Sequence, residues 1–368
     1  MQGSQLFDKV YGCLVGGLVG DAMGGPIEGM TANFIRELHG GVVTRMVSYD
    51  TRPEDFFHPE KPSAYAWHSE PGTHTDDTYF ATLITRCIIE KGGRITCDDL
   101  ADFWLKECDQ RRAWFSLHFT YSKLFYTHIP PRDLGQGNIG DNSSAMCIGP
   151  VGVINACNPA QAALDAYDVV SMMHWGHSRD AAGIIAAATA AAFQPGATVD
   201  SVAQAAVDNI PGGKQSRMYK PMLLALDLAR KARDTEELTK LYYDQLIIEW
   251  SGRGKAVSSD GRHCDSCEAY ESVPCAIGMF VNAKGDYEKT IIGAANFGRD
   301  CDTIACMAGY IAGAFNGFSS IPQAWAAPCL AGNPETPSFT AMAEDLTRVL
   351  AAQQEKDLAR VRRIAAMS

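Results

Sequence analysis

Residues 298–316 read GRDCDTIACMAGYIAGAFN, and residues 74–88 read HTDDTYFATLITRCI. In each stretch a knot of acids and Thr is followed by apolar residues spaced i, i+3, i+4, i+7. They are Ile304, Met307, Ala308, Ile311, Ala312 and Phe315 in the first, and Phe80, Leu83, Ile84, Cys87 and Ile88 in the second. That spacing predicts two helices, each packed on one face. Thr75, Asp76 and Asp77 then sit at one helix start, and Asp300, Asp302 and Thr303 at another, where the helix dipole favours ionised carboxylates. Four carboxylates and two hydroxyls form an all-oxygen set suited to a hard cation such as Mg2+. Either motif alone reads as a helix cap, since Thr and Asp are ordinary N-cap residues. A cap needs only one acceptor, however, and acids this crowded repel unless a positive charge lies among them. Together the two motifs predict a metal site between two helix starts.

Helical patterning recurs along the chain. A helix over 9–24 carries Gly12, Gly16, Gly20 and Gly24 at four-residue intervals, a smooth stripe for close backbone packing, although each interior Gly costs up to about 1 kcal/mol. Asn158 and Pro159 read as an N-cap and first-turn proline opening a helix that ends near His174. Further helices are predicted over 178–193, 198–208, 218–233, 235–250, 286–296 and 340–365. Gly41 to Ser48, with three valines, reads as a strand. Segments 50–74 (with His58, His68 and His74), 128–152 and 251–275 break the rhythm and read as ligand-meeting loops. Because the acidic motifs come from opposite ends, the chain must close on itself. The expected fold is all-α: a single compact orthogonal helical domain over 1–368, with the metal site in a central cleft.

Bulk properties narrow the function classes. The 368 residues have a net charge of -11, which argues against nucleic-acid polymers and anionic membranes as partners. No stretch of about 18 consecutive apolar residues occurs, and the N-terminus lacks the cationic start of a signal peptide. Twelve cysteines scattered through helical segments fit buried thiols in a reducing compartment, so a cytoplasmic location is expected. Cys264 and Cys267 form a lone CxxC, which on its own is weak evidence for zinc or redox chemistry.

Four stretches, GCLVGGLVGDAMGGPIEGM (12–30), HTDDT (74–78), DNSSAMCIGPVG (141–152) and ANFGRDCDTIACMAGYIAGAFNG (295–317), resemble in order the ADP-ribosylglycohydrolase family. The resemblance implies an all-α domain with two Mg2+ ions, sometimes Mn2+, at the bottom of a cleft, held by Thr75, Asp76, Asp77, Asp300, Asp302 and Thr303. Asp302 would bridge the two ions. It also implies an acidic residue seven positions after Asp21, which is Glu28. Glu28 or Asp302 would serve as general base for the attacking water. Asn142, Ser143 and Ser144 match a diphosphate-binding loop, and His174, or His177 in another alignment, matches a position near the adenosine-side ribose and phosphates. Two departures stand out. Cys147 replaces the usual arginine, and Arg299 replaces a glycine before the second metal motif; both are expected to touch the substrate side. The implied reaction is hydrolysis of a ribosyl glycosidic bond in an ADP-ribosylated side chain or small acceptor. The alternatives are an N-ribosyl small-molecule hydrolase with the same metal centre and a catalytically silent binding or structural relative. Oligomeric state is not legible.

Overall fold

The computed structural model describes residues 3–49, 68–250, 257–264, 266–333 and 337–367. His58 and much of the first expected loop lie outside the described residues.

The chain runs through α1 (Gln5–Gly24), α2 (Ala32–His39), α3 (Asp76–Lys91), α4 (Cys97–Glu107) and α5 (Phe115–Tyr126). Two short turns, α6 (Ser143–Met146) and α7 (Gly149–Ile154), precede α8 (Pro159–Val169), α9 (His177–Ala192), α10 (Val199–Asp208) and α11 (Tyr219–Lys231). Next, α12 (Thr235–Leu241) passes through a π-helical turn, Tyr242–Ile247, into α13 (Ile248–Trp250). The chain ends with α14 (Ala269–Asn282), α15 (Tyr287–Ala295), α16 (Cys301–Asn316), α17 (Gln323–Gly332) and α18 (Phe339–Ala365). The architecture is all-α, as the periodicity predicts. Among the described residues no strand forms; there are only isolated bridges, such as Met30 with His263 and Thr31 with Gly298.

The expected strand at 41–48 is irregular backbone. Its polar groups are taken up by side chains instead of a neighbouring strand. Asn296 accepts from Val43 N–H and donates to Val43 O, at 2.8 and 2.7 Å, and Trp325 Nε1 donates to Thr44 O. With those groups satisfied the segment has no need of a ladder.

The central pair is α1 against α16, and the glycine stripe is the reason they meet. A Cβ on Gly16 would lie 2.4 Å from Gly309 O, one on Gly20 2.1 Å from Ala305 O, and one on Gly24 2.3 Å from Asp302 Cα. Side chains larger than hydrogen would force the helices apart. The close approach delivers the C-terminal end of α1 directly to the acidic start of α16. By length and composition the stretch Gln5–Ile27, which holds α1, is apolar enough to cross a membrane, but here it is buried from Val10 onward. Two short helices, α6 and α7, lie where a glycine-rich loop is expected, and both are wholly buried.

Candidate metal centre and cleft

Both acidic motifs open helices as predicted. Thr75 caps α3, with Asp76 and Asp77 in its first turn; Asp300 precedes α16, with Asp302 in its first turn. They are brought together by a residue the sequence did not single out. Asp21, fully buried near the end of α1, receives four hydrogen bonds. Its Oδ1 accepts from Thr75 N–H and Thr75 Oγ1, both at 2.9 Å; its Oδ2 accepts from Thr78 N–H at 2.9 Å and Thr78 Oγ1 at 2.5 Å. A buried carboxylate is tolerable only with its lone pairs occupied, and these donors occupy them. Thr75 Oγ1 also lies 3.2 Å from Asp302 Oδ2 and 3.4 Å from Asp77 Oδ2, so the two helix starts face each other across a hydroxyl.

Glu28 joins the cluster. Carboxylate oxygens of Glu28, Asp300 and Asp302 all lie within 4.8 Å of one another, a spacing that could hold a metal ion. The backbone explains the proximity. Gly29 N–H donates to Arg299 O at 2.7 Å, and Arg299 N–H donates to Met30 O at 2.6 Å, so the Glu28 segment is laced to the residues before Asp300. Gly298 (φ 72°) has no room for a Cβ, which would meet Met30 O at 2.4 Å. Arg299 is left-handed too, at φ 61°, a conformation costing a non-glycine residue about 1–2 kcal/mol. Its guanidinium compensates. Nε and Nη2 grip Glu271 Oε1 and Oε2 at 2.5 and 3.1 Å, with both side chains at most 1% exposed. Such a two-pronged, charge-assisted contact is among the stronger ones available. Ser266 Oγ donates to the same Glu271 at 2.8 Å.

The electrostatics of the cluster invite a cation. Burial, first, pushes the carboxyls of Asp76, Asp77 and Asp300 well above the usual range. Repulsion adds to it: Asp302 and Asp21 press on the first two, Asp302 and Glu28 on the third. Asp77 Oδ1 is buried without a hydrogen-bond partner. Buried acceptors are normally satisfied, and a hard cation bound by oxygens would both satisfy this one and relieve the repulsion. The donor set present therefore fits a divalent ion.

The cluster lies in a cleft of about 180 Å³. Asp76, Asp77, Asp300, Asp302, Thr303 and Glu28 line it; Thr75 sits just behind, bonded to Asp21. Of the expected diphosphate loop, Asn142 and Ser143 reach the cleft, joined by the neighbouring Asp141. Ser144 and His174 are not among the lining residues. Ser144 Oγ donates to Ser178 O at 2.9 Å, and fully buried His174 puts Nε2 2.9 Å from Asp141 Oδ1. His177, the alternative, stacks on Tyr270 with ring centroids 4.0 Å apart. Burial pushes the Asp141 carboxyl up, but His174 and hydrogen bonds from Ser116 and Ser143 N–H outweigh it and hold it below the usual range. Cys147 does not reach the cleft; it is buried in the core with Sγ against Ser143 O. Arg299 does line the cleft, as expected, but its guanidinium is engaged with Glu271. Cys264, Ser266 and Cys267 of the CxxC segment do line the cleft, which the spacing alone gave no way to see.

A family model described as ADP-ribosylglycohydrolase matches residues 2–356. The chain belongs to the ADP-ribosylglycohydrolase family. It is 26% identical over 337 residues to the Escherichia coli protein YegU, described as uncharacterized, covering 86% of this chain and 90% of that one. It is 39% identical over 71 residues to human "ADP-ribosylhydrolase ARH3", a stretch spanning 17% of this chain and 20% of the human one. The fold matches a solved "ADP-ribosylglycohydrolase-related protein complex" at a TM-score of 0.61 and 19% identity, over 95% of this chain and 99% of that one. Family and fold thus support glycohydrolase chemistry in general.

Proposed function

We propose that the protein is a divalent-metal-dependent glycohydrolase that cleaves the bond between the anomeric carbon of a ribosyl group and its acceptor, using an activated water. The observation that carries this reading is the convergence of Glu28, Asp300 and Asp302 within 4.8 Å, facing the start of α3 across Thr75. Thr75, Asp76, Asp77, Asp300, Asp302 and Thr303 would hold two Mg2+ ions, or Mn2+. Bound there, the metal would supply Lewis-acid anchoring of ribose hydroxyls and a water of lowered pKa. The chain's own residues do the rest. Thr75 Oγ1 donates its hydrogen to Asp21 Oδ1 and accepts from Asp77 N–H, which would leave one lone pair for the metal. Glu28, half-buried on the cleft wall, is placed to accept the proton of the attacking water, and Asp302 is the other carboxylate within reach of that task. Cleavage at ribose builds oxocarbenium-like positive charge, which a carboxylate-rich cleft stabilises.

The substrate reading that follows from family membership is an ADP-ribosylated side chain or small acceptor. A second reading, an N-ribosyl small molecule, is favoured by one observation: the Asn142 amide, the Ser143 N–H and the Ser144 hydroxyl are already bonded within the protein. A silent binding role is disfavoured because every ligand position carries an oxygen donor. We place the protein in the cytoplasm, consistent with twelve cysteines that are all thiols.

The test is hydrolysis of a panel, with Mg2+ and with EDTA, by the unsubstituted protein, Asp302→Ala and Glu28→Gln. The panel holds ADP-ribosylated arginine and serine peptides, O-acetyl-ADP-ribose and simple nucleosides. Metal-dependent release of a ribosyl product, lost in Asp302→Ala, supports the glycohydrolase reading and identifies the linkage. Absence of turnover on the whole panel with metal bound defeats it.

A further inference from the structure

We propose that Asp141 determines the specificity of the cleft: its carboxylate turns away a diphosphate and selects ribosides whose remainder is uncharged or cationic. The inference rests on the glycohydrolase reading above and deepens it.

A phosphate-binding loop works by pointing unengaged N–H groups and hydroxyls at the anion. The 141–146 segment does the reverse. Asn142 N–H donates to Cys267 O at 2.9 Å, Ser143 N–H to Asp141 Oδ1 at 2.9 Å, and Ala145 and Met146 N–H to Asn142 O at 2.8 and 3.1 Å. The Asn142 side-chain amide is divided between Ser272 Oγ, at 2.9 Å, and Asp300. Ser143 Oγ lies 3.3 Å from Ser116 Oγ, and Ser144 Oγ is held by Ser178 O. These donors are bonded within the protein.

What the segment offers instead is a negative charge. Asp141 lines the cleft and is only 1% exposed, with His174 Nε2 2.9 Å away behind it. A carboxylate so placed repels an anion in a site shielded from water, and like charges brought together at a binding surface oppose association. Elsewhere in the lining there is no relief. Six carboxylates face the cleft, and the one basic side chain among the described lining residues, Arg299, is engaged with Glu271. Two divalent ions would still leave an excess of negative charge. An N-riboside with a neutral or positively charged heterocycle or amine meets these conditions; ADP-ribose directed at this wall does not.

The test uses two reaction products that the enzyme does not turn over, D-ribose and ADP-ribose, titrated calorimetrically in Mg2+ into the unsubstituted protein and Asp141→Asn. Asn keeps an acceptor for His174 while removing the charge. Expected is ADP-ribose binding the unsubstituted protein no more tightly than ribose, and at least ~10-fold more tightly after the substitution, with ribose changed by less than about 3-fold. The ranking by the unsubstituted protein decides even if the variant fails to fold. ADP-ribose bound at least ~10-fold more tightly than ribose by the unsubstituted protein overturns the proposal and leaves the glycohydrolase reading standing. An Asp141→Asn protein with unchanged ADP-ribose affinity overturns it too. Binding of neither sugar, with Mg2+ bound, brings down the glycohydrolase reading itself.

Discussion

The floor of the cleft and its 141–146 wall are built from the same kind of residue, buried and polar, yet they use their polar atoms in opposite ways. On the wall, hydrogen bonds are closed within the protein: Asn142 to Ser272 and Asp300, Ser143 N–H to Asp141, Ser144 to Ser178. On the floor, charges of one sign are stacked and Asp77 Oδ1 is left without a hydrogen-bond partner. The wall is thus stable as it stands. The floor is held together by its surroundings, by Asp21 from below and the Arg299–Glu271 pair from the side, and is completed by something positive. A functional site shows itself by what the protein leaves unsatisfied more than by polarity.

The strongest way to break this contrast is to remove a floor carboxylate. Asp302→Ala should abolish the Mg2+-induced rise in melting temperature and lower turnover by more than about 100-fold, because both helix starts lose their shared oxygen. The metal-free variant should melt no lower than the metal-free parent, since one of several repelling charges has gone; a large loss of stability without metal would show that Asp302 is a structural member. The supporting pair behaves differently. Glu271→Ala strands the Arg299 guanidinium in the interior and removes the acceptor of Ser266, so it should cost about 3–5 kcal/mol in denaturant unfolding, with or without metal. A loss below about 1 kcal/mol would mean that Arg299 finds other partners and that the turn before Asp300 does not depend on Glu271.

These supports mark the limit of what the sequence reveals. The two helix starts were legible because their signal is local: acids and Thr at a fixed place before a 3.6-residue period. The glycine stripe was legible because its period is local as well. Asp21 was not, because its partners Thr75 and Thr78 lie 54 and 57 positions away and in sequence it reads as one acid inside an apolar helix. The direction of Arg299 was likewise out of reach; a charged residue beside a metal motif reads as substrate-facing until Glu271, 28 positions earlier, is brought alongside. The valine-rich 41–48 segment has strand propensity, but its backbone is claimed by the Asn296 side chain, a tertiary contact that overrides propensity. The expected loop over 128–152 hides α6 and α7, too short for a periodic signal and kept helical by burial.

Asp21 provides a finer probe of the same contrast. Asp21→Asn keeps one acceptor oxygen but replaces the other by an amide that cannot accept from Thr78. Thr75 is then less firmly oriented. Mg2+ affinity measured by calorimetry should fall about 10–100-fold, as for other groups that orient ligands. Thr78→Val removes the 2.5 Å contact and leaves both Thr75 bonds intact, so it should weaken Mg2+ by a smaller factor. If both variants lower stability and leave Mg2+ affinity unchanged, Asp21 supports the fold alone.

The smallest effect follows from the raised carboxyls, and its sign can be worked out. Asp76, Asp77 and Asp300 have folded-state pKa values raised above the unfolded value of about 4, first by burial. Such groups bind more protons when folded. The stability they contribute is full below the unfolded value and is lost as pH rises through the raised one. Without metal, the floor should therefore favour unfolding progressively from acid toward neutral pH. Divalent binding requires the deprotonated carboxylates, so its contribution runs the other way. Asp141, held below the usual range, stays ionised throughout this interval and drops out of the comparison. The difference in melting temperature between Mg2+ and EDTA should be smallest near pH 5 and grow toward pH 8 by several degrees at saturating ion, since a ligand at about 100 times its Kd adds roughly 2.7 kcal/mol. A difference that stays flat across that range would mean the floor carboxylates do not exchange protons for metal, and the floor would then resemble the wall, a closed network with nothing left to bind.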